Sequence, residues 1–420
     1  MRTVVLFLTG QTISLFGSSL VQYAVMWYLT LQTKSGTVMM AYALFAFLPQ
    51  GILSLVGGTL ADRVSRKALI IVSDGAIALT TLALALVMTM GHTDLWLIYA
   101  AVCVRSIGAG FQQPAVGALL PQITPTAHLM RVNSVNTTIQ SAMALVAPAA
   151  AGALYAVGGV IPTFYVDVVT AAIGIVILLA LPVPRPAKTP ELGRTSFVTD
   201  LAGGVRYASR NPLVRWVLTV YAIVFMLTVA PSFLTPLMVA RTFGEEVWKL
   251  TALEVVFALG MTLGGAAVAL FAVRRSRPHM ILAACVVFGL LAIGLGLSTN
   301  LWVFFALMFA TGLAVPFFST PSVTMLQEEV DEEHMGRVFS FVSIVFALAM
   351  PIGMIGFGPL ADRWGVEVLL IASGVVTLVV VLVAALIPDG RAVLARPRRP
   401  AVAGRATPDD EDGTAPTPMQ

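Results

Sequence analysis

Four ionisable side chains stand inside apolar runs long enough to cross a bilayer: Asp74, Arg105, Asp167 and Glu254. A charge at the centre of a bilayer costs about 2.5–3.5 kcal/mol on insertion scales, so each must be protonated, paired or wetted by a polar cavity. Arg105 lies in Cys103-Val-Arg105-Ser-Ile-Gly108-Ala-Gly110-Phe-Gln112-Gln113-Pro114, part-way through its span. A guanidinium there must face the interior of a bundle, bonded to an acid or to backbone carbonyls. Asp167 and Glu254 have no basic neighbour in sequence and are candidates for handling a proton or a cation. Asp74 lies one turn from a basic loop, which suits a structural role as well as coupling. Gln11, Gln22, Tyr23, Gln112, Gln113, Asn136 and Gln140 could line a cavity or hydrogen-bond between helices.

No catalytic constellation accompanies these groups. His92, His128, His279 and His334 fall at expected loops or helix ends, and Cys103 and Cys285 sit singly in apolar runs, so no metal site or disulfide framework is expected. There is no phosphate-binding GxxxxGK[ST], so ATP is not the expected energy source. The sequence predicts no enzyme and no cofactor.

The elements that must hold the charges follow from composition. Hydrophobic residues make up 58% of the 420 and charged residues 11%, with a mean hydropathy of +0.91. Soluble domains carry about 25% charged residues, so lipid is the expected solvent. At roughly 20 apolar residues per span, twelve spans are predicted: 4–31, 38–60, 69–90, 95–120, 134–157, 160–182, 214–240, 250–273, 279–298, 301–326, 338–361 and 367–387. Backbone groups cannot stay unpaired in hydrocarbon, so the runs must be helices; the alternating ten-residue segments of a membrane barrel are absent. The fold class is all-α.

The net charge of +4 does not point to nucleic acid, because the basic residues collect in alternate loops. With the N-terminus inside, twenty Lys and Arg fall in cytoplasmic segments and four outside, namely Lys34, Arg241, Lys249 and Arg363. That asymmetry predicts a multi-pass protein of the cell membrane with both termini cytoplasmic. The expected organisation is an N-terminal bundle (1–182), a Pro- and Arg-rich cytoplasmic linker (183–213), a C-terminal bundle (214–388) and a disordered tail (389–420).

The halves repeat one another. A shift of 206 superposes Arg131-Val-Asn-Ser on Arg337-Val-Phe-Ser, Gly152 on Gly358 and Gly159 on Gly365; a shift of 207 superposes Gly57-Gly58 on Gly264-Gly265 and Pro114 on Pro321. Two parallel six-helix halves with a substrate site between them are a transporter plan. The clearest single motif is Gly57-Gly58-Thr-Leu-Ala-Asp62-Arg63-Val-Ser-Arg66-Lys67, between the second and third spans. Its glycines allow a close backbone approach, and an acid among basic residues can hold a neighbouring helix end; a solvated, topology-setting turn is the plainer reading. Ala147-Pro148-Ala-Ala-Ala-Gly152 gives the fifth span a small-residue face suited to close packing.

The loop motif resembles the signature loop of the major facilitator superfamily, with Ser65 where that family more often has glycine. The helix bearing Arg105 resembles the family's fourth-helix arginine motif, and Ala147–Gly152 a degenerate form of its antiporter motif. Gly10-Gln11-Thr-Ile-Ser-Leu, Arg105-Ser-Ile-Gly, Glu254-Val-Val-Phe-Ala-Leu-Gly-Met, Val315-Pro-Phe-Phe-Ser, Gly336-Arg-Val-Phe-Ser, Ala349-Met-Pro-Ile-Gly and Ala361-Asp-Arg resemble the macrolide-efflux branch, the drug:proton antiporters. The resemblance implies a monomer in the bilayer that exports amphipathic small molecules in exchange for protons. In that reading Gly58, Asp62, Arg63, Arg66 and Lys67 serve gating, and Arg105 serves coupling. Export of a siderophore or metabolite, or a non-transporting receptor, stands as the alternative.

Overall fold

A computed structural model describes residues 1–183, 206–271 and 276–395. Among the described residues there is no strand, and twelve helices are long and apolar enough to span a bilayer. They are α1 (Arg2–Thr33), α2 (Gly36–Arg63), α3 (Arg66–Thr89), α4 (Leu95–Ile123), α5 (Leu129–Gly158), α6 (Ile161–Ala180), α7 (Pro212–Met238), α8 (Val247–Phe271), α9 (Arg277–Leu297), α10 (Leu301–Glu329), α11 (Glu332–Trp364) and α12 (Val366–Leu386). All twelve predicted spans are present. Most outrun their predicted bounds, α11 by six residues at its start, because a helix that has cleared the hydrocarbon need not be apolar. Side-chain caps fix several starts: Asn211 Oδ1 accepts from the N–H of Leu213 at 3.0 Å, and Asn300 Oδ1 from that of Trp302 at 2.9 Å. Ser65 accepts from the N–H of Ala68 at 3.3 Å, so the serine in the signature loop starts α3.

In each run of six helices, α1–α6 and α7–α12, the sixth helix packs against the first and the third, and the second lies against the fourth. The repeat is visible in the backbone. Gly159 before α6 and Gly365 before α12 both hold positive φ, 71° and 87°, a conformation that favours glycine. A short helix, α13 (Pro388–Ala395), follows α12. The expected disorder from Asp389 onward therefore does not hold through Ala395: Val393 is buried, and Arg215 Nη2 binds Asp389 at 2.5 Å. The remaining tail and residues 184–205 of the expected linker lie outside the described residues.

Among the described residues, a core shared by the two halves is found at one end. At the end opposite the chain termini a single apolar core joins residues of both, among them Trp27, Met39, Phe164, Phe233, Leu250, Met354 and Leu370. At the terminal end there are two separate cores, one in each half. Burial holds the bundles together at the first end; at the second, no core joins them among the described residues, and α5 exposes most of its residues from 133 to 141.

Candidate functional site

α4 carries Arg105 into the interior of the N-terminal half, where Asp167 of α6 meets it: Arg105 Nη1 lies 2.5 Å from Asp167 Oδ2. Asp167 is fully buried and Arg105 nearly so, with side-chain exposures of 0% and 13%. Thr81 of α3 accepts from Arg105 and reaches Asp167 Oδ2 at 3.0 Å. Ser18 of α1 donates to Asp167 Oδ1 at 3.1 Å. Four helices thus converge on one ion pair. α1 approaches closely because Gly17 leaves no side chain where α6 passes, at Asp167 and Thr170. Asp167, which has no basic neighbour in sequence, finds its partner 62 residues away on another helix.

Asp74 lies two turns before Thr81 on the same face of α3. It is buried, and Gln112 Nε2 donates to its Oδ1 at 2.5 Å. Its Oδ2 has no partner among the described residues. The N-terminal half therefore encloses two carboxylates against one guanidinium.

Beside this cluster lies a cavity lined by Gln22, Tyr42, Gln50, Arg105, Gln112 and Gln113, together with apolar residues of α1–α4. Of the expected cavity residues, Gln22, Gln112 and Gln113 line it. Gln11, Asn136 and Gln140 are not among its lining; Gln140 lies on the exposed stretch of α5. Tyr23 stacks obliquely on Trp27, with ring centroids 5.8 Å apart. Glu254 of α8 is part-buried, faces Tyr23 electrostatically across the two halves, and makes no hydrogen bond or ion pair among the described residues. Ser18, Tyr42, Gln50, Thr81 and Ser106 belong to this region and carried no distinguishing signal in the sequence. Ser106 mends a helix: its hydroxyl donates to Ala46 O at 2.7 Å and accepts from Gln50 N at 2.9 Å, filling the gap in the α2 ladder beside Pro49.

The signature loop is divided between two tasks. Arg66 donates to Ala118 O at 2.9 Å and Ala61 O at 3.2 Å, and Lys67 to Leu181 O at 2.7 Å and Leu179 O at 2.9 Å. Both cations occupy helix C-termini, where unpaired carbonyls and the helix dipole favour them. Gly57 provides the close approach, onto Gly110 and Pro114 of α4, whereas Gly58 faces open space. The side chains of Asp62 and Arg63 lie outside the described ones.

The sealed end has its own acid. Asp362, near the end of α11, accepts from the N–H groups of Gly36 at 2.6 Å and Thr37 at 2.8 Å. It also accepts from the hydroxyls of Ser35 at 2.8 Å and Thr37 at 2.7 Å. A carboxylate on a helix N-terminus is favoured by the dipole and by the unpaired N–H groups there. Arg241 Nη2 adds an ion pair at 2.6 Å and binds Lys34 O at 2.6 Å. Gly36 and Gly358 leave room for the backbones to cross. The six-residue pattern that ends α11, Gly358-Pro-Leu-Ala-Asp362-Arg363, repeats the one that ends α2, Gly58-Thr-Leu-Ala-Asp62-Arg63.

The amino-acid sequence matches a known family over nearly the whole chain, in two overlapping stretches, 7–297 and 250–415. The chain belongs to the Major Facilitator Superfamily. It is therefore a transporter-family, multi-pass membrane protein. It is 29% identical over 384 residues to macrolide efflux protein A of Streptococcus pyogenes, covering 91% of this chain and 95% of that one. It is 25% identical over 289 residues to the enterobactin exporter of Shigella boydii, covering 68% and 67%. Among solved structures it resembles a bacterial homologue of the human lysosomal transporter Spinster, in an inward-facing, unoccupied conformation. The TM-score there is 0.71, at 15% identity over 95% of this chain and 98% of that one. A peptide-transporter (POT) family structure in complex with 5-aminolevulinic acid gives 0.73, at 13% identity over 93% and 96%.

Proposed function

We propose that this superfamily member exports amphipathic small molecules of the macrolide kind by alternating access, driven by protons moving the other way. The observation that carries the coupling is the charge imbalance in the N-terminal half. Asp74 and Asp167 are enclosed with a single base, Arg105, and an enclosed surplus of one negative charge is what one proton would neutralise. The polar cavity beside Arg105 gives the cargo a place where its arrival can disturb that pair. Glu254, unpaired and facing the other half, is a second acid on the path.

Orientation follows from the basic loops: both termini lie in the cytoplasm, the sealed end is external, and the end with two separate cores is the cytoplasmic mouth. In the opposite state Asp62 docks on the N-terminal part of α11 beside Gly336-Arg337, one turn in from the helix start at Glu332, with Arg63 beside it, and Gly58 supplies the clearance. The working unit is a monomer in the plasma membrane. Cargo of the macrolide kind is supported by 29% identity to macrolide efflux protein A along most of both chains.

The test is accumulation of radiolabelled erythromycin in cells with and without the protein. Lower steady-state accumulation in expressing cells, abolished by Arg105→Ala at equal membrane abundance, is the expected result. Equal accumulation in both would contradict macrolide export, and the enterobactin exporter relative makes a siderophore the next cargo to try.

A further inference from the structure

The C-terminal half contains a cavity of its own, between α7, α8, α9, α10 and α12, with walls of Phe225, Phe257, Phe288 and Phe318. It stands where the polar cavity and the Arg105–Asp167 cluster beside it stand in the other half, and the repeat aligns their residues. Phe257 lies seven residues before Gly264-Gly265, as Gln50 lies seven before Gly57-Gly58. Ser373 lies eight residues after Gly365, as Asp167 lies eight after Gly159. No charged residue lines the C-terminal cavity.

Its hydroxyls do not make it polar. Thr228 donates to Phe225 O at 2.8 Å, Thr311 to Leu307 O at 2.8 Å, Ser373 to Leu370 O at 3.0 Å and Thr377 to Ser373 O at 2.7 Å. These four donors are spent on their own helices, so apart from the hydroxyl of Ser232 the wall offers an occupant little but apolar and aromatic contact. The cavity volume is ≈ 190 Å³. An apolar cavity of about 150 Å³ holds a benzene-sized ring, so this one takes a ring or short alkyl group, not a whole macrocycle. Ser232, at its edge, is followed by Phe233, which packs on Tyr42 and Phe47 at centroid distances of 6.2 and 5.9 Å. Tyr42 and Phe47 line the polar cavity. Phe233 thus links the wall of one cavity to the wall of the other.

Building on the exporter reading above, we propose that this pocket is the apolar subsite for an amphipathic cargo. A ring or alkyl end enters the C-terminal half past Phe233 while the polar end rests among Gln50, Gln112 and Arg105. The substrate class is a molecule with one compact apolar end and one hydrogen-bonding end.

The experiment uses the full chain in lipid nanodiscs and a photoreactive iodophenyl diazirine, a ring-sized apolar probe. Covalent labelling is mapped on peptides containing Phe225, Phe257, Phe288 and Phe318, with and without saturating erythromycin. The expected result is labelling at these positions that erythromycin suppresses, while labelling of lipid-facing positions such as Val72 and Leu79 is unchanged. Ala292→Phe, which fills the pocket, should lower pocket labelling and erythromycin affinity by roughly tenfold or more. Absence of pocket labelling in the wild-type protein overturns the subsite. So does labelling that erythromycin leaves intact in a protein that exports it. Failure of the exporter reading is seen separately, as unchanged cellular accumulation of erythromycin, and does not affect the Ala292→Phe comparison of probe labelling.

Discussion

At the scale of single residues, the account turns on how buried charges are shared. Asp167 has three partners and Asp74 has one, so neutralising them should have opposite consequences. Asp167→Asn strands Arg105 in the interior, and breaking a buried pair typically costs about 3–5 kcal/mol. Asp74→Asn keeps a hydrogen-bonding group beside Gln112 and removes a carboxylate with an unpartnered oxygen. We expect Asp167→Asn to lower the melting temperature of the purified protein, and Asp74→Asn to leave it equal or higher, with export lost in both. Arg105→Gln combined with Asp167→Asn should recover most of the lost stability without restoring export, as coupled neighbours do in a double-mutant cycle. Additive losses in the double variant would mean that the pair does not act as one. The sequence revealed these charges one at a time, because each is costly in lipid wherever it sits. It did not reveal the pairing, since Arg105 and Asp167 share neither helix nor neighbourhood in the chain. Thr81 and Ser18 were silent because hydroxyls inside spans commonly satisfy themselves on the preceding turn, as Thr30 does on Met26.

At the scale of elements, the spans were legible because hydrocarbon allows one solution to a long apolar run. Their ends were less so, since caps such as Asn211 and Asn300 and polar extensions such as the first turn of α11 lie beyond the lipid and leave no hydropathy signal. The contact between α2 and α11 was partly anticipated and partly inverted. In the signature loop, Asp62 was expected to hold a neighbouring helix end. Asp362 on α2 does so at the opposite end, through the matching Gly-x-Leu-Ala-Asp-Arg pattern. A carboxylate at a helix N-terminus contributes about 0.3–2 kcal/mol, enough to shift a two-state balance roughly two- to thirtyfold. Asp362→Asn should therefore populate the state open at the end now sealed. Double electron–electron resonance between spin labels near residues 34 and 245 should show a longer-distance population in the variant. An unchanged distribution would make Asp362 a local cap without influence on the transport cycle.

At the scale of the whole molecule, the repeat written in Gly159 and Gly365 gives two halves with one backbone plan, and divergence has given them different interiors. The N-terminal half keeps amides and a buried ion pair; the C-terminal half keeps, apart from Glu254, aromatic rings and self-satisfied hydroxyls around its cavity. The division was not legible in the sequence because Phe225, Phe257, Phe288 and Phe318 look like ordinary apolar span residues until the cavity between them is seen. Among the described residues there is a single core at one end and two at the other, an arrangement that suits the alternating access proposed above. The central claim is that export is exchanged for protons through the charge cluster of the N-terminal half. Its most direct measurement is uptake of labelled erythromycin into inside-out membrane vesicles with an imposed pH gradient. Uptake should be driven when the lumen is acid, vanish when a protonophore collapses the gradient, and be absent in Asp167→Asn vesicles containing equal amounts of protein. Uptake that proceeds at the same rate with the gradient collapsed would contradict the account.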